Sequence, residues 1–85
     1  MRIRILLVDD HQMMRDGLRS ILDLEDDLDV VGEAGNGYEA LEMARTLQPD
    51  VTVMDVGMKD LNGIEATRQI IAQNPRAKVV ALSTH

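Results

Sequence analysis

The chain has 85 residues and no cysteine. Nine lysines and arginines stand against fifteen aspartates and glutamates, giving a formal charge of −6. A chain of this length makes one small domain that buries only somewhat more than ~60% of its unfolded surface. The acidic balance argues against direct grip on a phosphate backbone, and the missing thiols exclude disulfides, thiol catalysis and cysteine-based zinc sites.

Tyr38 is the only aromatic residue, so the core must be aliphatic. Residues 3–8, Ile-Arg-Ile-Leu-Leu-Val, read as a buried strand, apolar nearly throughout as parallel sheets require. The run is too short for a signal-peptide core or a membrane span, and Asp9-Asp10 closes it at once, so a cytoplasmic chain with no membrane contact is expected. A helix follows, with Met14, Leu18, Ile21 and Leu22 on one face and Arg15, Asp16, Arg19 and Asp23 facing away. Residues 29–34 form a weaker strand, broken by Gly35-Asn36-Gly37. Asn36 can cap the next helix, with Glu39 three residues on. That helix turns Ala40, Leu41, Ala44 and Leu47 inward and stops before Pro49. Residues 51–55, Val-Thr-Val-Met-Asp, form a β-branched strand that delivers Asp55. A third helix over 63–73 takes Ile64, Thr67, Ile70 and Ile71 as its apolar side, and residues 78–83 form a fourth strand.

The alternation predicts an α/β fold, a parallel sheet with right-handed crossovers. In a flavodoxin-like strand order the first and third strands are neighbours, and ligands sit outside their carboxyl ends. Asp9, Asp10 and Asp55 would then converge on one crevice. Crowding three carboxylates is costly unless a cation shares the site, and Mg²⁺ suits carboxylates, a backbone carbonyl such as that of Gly57, waters and phosphate oxygens. Asp55 is placed to attack phosphorus there, and Ser83, at the end of the fourth strand, to present a hydroxyl to the transferred oxygens. His11 reads as a polar helix-start residue and Lys59 as a solvated loop charge.

At these residues the chain resembles a response-regulator receiver domain of two-component signalling, NarL/FixJ type. The matching stretches are residues 6–11 (Leu-Leu-Val-Asp-Asp-His), 31–34 (Val-Gly-Glu-Ala), 36–41 (Asn-Gly-Tyr-Glu-Ala-Leu), 49–51, Met54-Asp55, Met58 and 61–68. The resemblance implies a flavodoxin-like (CheY-like) sheet with helices on both faces. It implies Asp55 as phosphoacceptor, Asp9, Asp10, Asp55 and Gly57 around Mg²⁺, and Ser83 as switch hydroxyl. It further implies a sensor histidine kinase as phosphoryl donor and DNA contact only through a separate output domain. Lys59 stands where the family usually has proline. The family continues past a fourth strand through a helix, strand and helix that include a site lysine, so residues 1–85 are expected to be a C-terminally incomplete receiver domain. An exposed fourth-strand edge predicts self-association.

Three other chemistries fail on spacing. From Asp27, a calcium loop of the EF-hand type would put Val31 and Tyr38 where acids belong, and Gly32, Gly35 and Gly37 do not give Gly-x-Gly-x-x-Gly. An aspartyl-phosphate phosphatase would carry a second aspartate two residues after the nucleophile, where Gly57 stands. The chain is therefore not expected to be an enzyme beyond turning over the phosphate on its own Asp55. The rival reading is a phosphorylation-independent interaction or oligomerisation module.

Overall fold

In the computed structural model, residues 2–58 and 63–82 are described. The elements follow one another as β1 (Ile3–Val8), α1 (Gln12–Leu22), β2 (Leu28–Ala34), α2 (Gly37–Leu47), β3 (Val51–Asp55), α3 (Gly63–Gln73) and β4 (Lys78–Leu82). All pairings are parallel, and the strand order is β2-β1-β3-β4, the flavodoxin-like order expected from the resemblance. β1 is buried on both faces, which explains its continuous apolar run. Leu6 and Val8 join Met54 under α2 and α3, whose Ala40, Ala44, Ala66 and Ile70 complete that layer. Ile5 and Leu7 face the other way with Val30, against Leu18 and Leu22 of α1.

Local signals explain the boundaries. Asn36 Oδ1 accepts the Glu39 N–H at 2.8 Å, and Glu39 Oε1 reaches back to the Gly35 N–H at 2.9 Å. This is a capping box whose return bond lands one residue early. α2 ends at Leu47, where Gln48 adopts a left-handed backbone with φ of 47°. Arg4 Nη1 donates to the carbonyls of Leu47 and Gln48 at 2.6 and 3.1 Å, satisfying orphan acceptors and complementing the negative helix end.

The helix faces differ from expectation. α1 has no buried residue, and Ile21, expected inward, is 64% exposed. Arg15, expected to face solvent, has a side chain only 14% exposed. On α3 the buried side is Gly63, Ala66 and Ile70, while Ile64 and Ile71 are exposed. The reason is distance. A Cβ at Gly63 would lie 2.4 Å from the carbonyl oxygen of Asp55, so α3 meets the end of β3 backbone to backbone, and only small residues fit that approach.

Candidate metal and phosphoacceptor site

β1 and β3 pair from Ile5↔Val51 to Val8↔Met54, so their last residues leave the sheet side by side. The pairing carries Asp9 and Asp55 to one edge, both essentially fully buried, with Asp10 and His11 exposed beside them. One ligand atom from each of Asp9, Asp10, His11 and Asp55 lies within 4.8 Å of the others. The convergence of the three aspartates expected from sequence is therefore present.

Each carboxylate is held differently. Asp9 Oδ1 accepts the His11 backbone N–H at 2.8 Å, and the Asp9 N–H donates to the Ala34 carbonyl of β2 at 3.1 Å. Asp55 Oδ1 accepts the Gly57 N–H at 2.9 Å, so Gly57 closes a tight turn against the Asp55 carboxylate. Asp9 Oδ2 is buried with no hydrogen-bond partner among the described residues. A buried carboxylate oxygen left orphaned on a residue clustered with further carboxylates fits a cation better than it fits a packed core. A hard, oxygen-seeking divalent ion such as Mg²⁺ matches this donor set.

Sequence reasoning left His11 out of the site, and the structure brings it in. Its Nδ1 lies 3.0 Å from Asp9 Oδ1 and 2.9 Å from Asp10 Oδ1. The imidazole pKa is raised above its ordinary 6.5, chiefly by the hydrogen bond to Asp9, then by the charge of Asp10, with a small contribution from Asp55. The two carboxylates thus favour the protonated form of the ring. The available signal was adjacency, since a histidine directly after an Asp-Asp strand end has little choice but to share its environment. Ser83 and Lys59 lie outside the described residues.

Residues 5–85 match the response regulator receiver domain family. The chain belongs to that family. It is 46% identical over 85 residues to the response regulator protein VraR of Staphylococcus saprophyticus, covering all of this chain and 41% of the relative. It is 42% identical over 84 residues to the transcriptional regulatory protein DegU of Brevibacillus brevis, covering 99% and 36%. Among solved structures, the response regulator domain of Thermotoga maritima CheB superposes with a TM-score of 0.91 at 44% identity, covering 99% of this chain and 62% of that one. A LuxR-family two-component response regulator from Aurantimonas sp. gives 0.94 at 36% identity, covering 100% and 61%. The chain thus spans about two-fifths of the length of the curated relatives it matches. No described helix is long and apolar enough to cross a membrane.

Proposed function

We propose that residues 1–85 form the receiver domain that takes a phosphoryl group onto Asp55 with Mg²⁺ held by Asp9, Asp10, Asp55 and the Gly57 carbonyl. The observation that carries this reading is the orphaned Asp9 Oδ2, buried beside Asp10 and Asp55 at the ends of two paired strands. An Asp55 carboxylate oxygen attacks phosphorus, and the bond from phosphorus to the donor breaks. With a kinase phosphohistidine as donor, the leaving imidazole takes up a proton and an acyl phosphate remains on Asp55. The turn at Gly57 keeps one Asp55 oxygen engaged with a backbone N–H and leaves the other to react. Mg²⁺, when bound, supplies charge neutralisation for the phosphoryl oxygens. Ser83 is assigned the switch hydroxyl on the family resemblance alone. The donor is a sensor histidine kinase, in the cytoplasm, and the names of the relatives support an output in transcription through a DNA-binding domain outside residues 1–85. The phosphate is turned over on the domain's own aspartate, with no separate substrate.

Intact mass after incubation with acetyl phosphate tests this reading. A phosphoryl adduct that requires Mg²⁺ and is lost in Asp55→Asn is expected. A folded wild-type protein that gains no adduct would overturn it.

A second reading rests on β4. It lies at the end of the strand order, with Val80 half-exposed and Ala81 exposed, which makes it a template for pairing with another chain. The isolated 85 residues are accordingly expected to self-associate. A monodisperse monomer at micromolar concentration in sedimentation would refute that.

A further inference from the structure

We propose that Arg15 is a positioning residue for the cation site, acting through the peptide that joins Asp9 to Asp10. The inference rests on the metal reading given above. The three aspartates are not equally constrained. Asp9 and Asp55 are fixed by burial and by hydrogen bonds from neighbouring backbone N–H groups. The Asp10 side chain is 26% exposed, and its only polar contact among the described residues is the exposed ring of His11. What sets the direction in which Asp10 leaves the chain is the plane of the Asp9–Asp10 peptide. The carbonyl oxygen of that peptide accepts a hydrogen bond from Arg15 Nη1.

The guanidinium is itself held from three sides. Arg15 Nε donates to Glu33 Oε1 at 3.3 Å, and Nη2 donates to Gln12 Oε1 at 2.6 Å. Glu33 is fixed in turn by Arg19, whose Nη1 donates to Glu33 Oε2 at 2.6 Å. The Arg15 and Glu33 side chains are 14% and 20% exposed, so this bridge is far less open to water than an ordinary surface pair. Arg15 therefore ties three elements together: the end of β1 through Asp9, α1 on which it sits, and β2 through Glu33. A planar fork is needed for this, because the same side chain must satisfy a carbonyl and a carboxylate in fixed and different directions. Outer residues that orient metal ligands are worth roughly 10–100-fold in metal affinity when removed.

The test is calorimetric titration of the intact protein with MgCl₂, comparing wild type, Arg15→Gln and Arg15→Lys, with the Mg²⁺ dependence of acetyl phosphate labelling in parallel. Arg15→Gln is expected to raise the Mg²⁺ dissociation constant by about 10–100-fold. The labelling rate should return toward wild type at saturating Mg²⁺, because the reacting groups are untouched. Should Arg15→Gln fail to fold, Arg15→Lys decides. It keeps the charge but cannot span Asp9 and Glu33 together, and it is expected to weaken Mg²⁺ several-fold. A folded variant with a lowered melting temperature but wild-type Mg²⁺ affinity would assign Arg15 a structural role only and overturn the proposal. A folded wild type that binds no Mg²⁺ would overturn the site reading itself, and that result is visible before any variant is made.

Discussion

Gly63→Ala is the substitution for which the structure gives the sharpest expectation. The added Cβ would sit 2.4 Å from the Asp55 carbonyl oxygen, 2.6 Å from Val56 Cα and 2.9 Å from the Asp55 carbonyl carbon. All three are backbone atoms, so no side-chain rotation relieves the clash. Bringing the nearest contact to an acceptable separation needs ~0.6 Å of movement between α3 and the end of β3, within a close-packed layer. Overpacking of this kind costs about 1–3 kcal/mol. The better helix propensity of alanine offsets at most about 1 kcal/mol. A net loss of about 1–2 kcal/mol corresponds to a melting temperature lowered by roughly 4–16 °C for a domain of this size. The displaced backbone belongs to Asp55, the proposed phosphoacceptor, so acetyl phosphate labelling should also slow by about tenfold, short of the ~100-fold that a 1 Å misplacement can cost. Thermal melting by circular dichroism and a labelling time course read both quantities on one sample. Wild-type melting together with wild-type labelling would refute the backbone contact between α3 and Asp55.

Three further outcomes are expected. Asp9→Asn should melt higher than wild type in chelator, because it removes one of the clustered carboxylates, and should lose the stabilisation by Mg²⁺. In wild type that stabilisation reaches about 2.7 kcal/mol at a hundredfold excess over the dissociation constant, and melting with and without Mg²⁺ measures it. The His11 ring should titrate above 6.5 in metal-free protein and move downward on adding Mg²⁺, as followed by proton NMR. Because the folded pKa is the raised one, protonated His11 favours the metal-free fold fully below the ordinary value, and this contribution fades as pH rises through the raised one. Thr52→Val should stabilise the protein by about 1 kcal/mol in denaturant unfolding, since the Thr52 hydroxyl is buried with no partner among the described residues.

The strands and the three aspartates were legible because a buried parallel strand has to be apolar along its length, and a carboxylate at its end announces where burial stops. The order of the strands was not in the spacing; it came with the family resemblance, and the pairing of β1 with both β2 and β3 agrees with it. The helix faces were only half legible. Counting large apolar residues assigned Ile64 and Ile71 to the inside of α3, whereas close approach to β3 selects Gly63 and Ala66, which such counting weights least. Arg15 read as solvated because its partners, the Asp9 carbonyl and Glu33, are supplied by other elements and nothing local announces them. The participation of His11 could have been read from its place next to two aspartates, had adjacency been weighed above its usual role at helix starts.

The site is assembled from two strand ends that are neighbours in space and distant along the chain. Neither Asp9 nor Asp55 has a counterpart to work with until β1 and β3 have paired. Such a long-range parallel pairing is among the slower steps a small domain takes. The carboxylate cluster is thus a late property of the folding chain. A newly made or partly unfolded copy carries the three aspartates without the cluster, and only molecules with β1 and β3 paired present it.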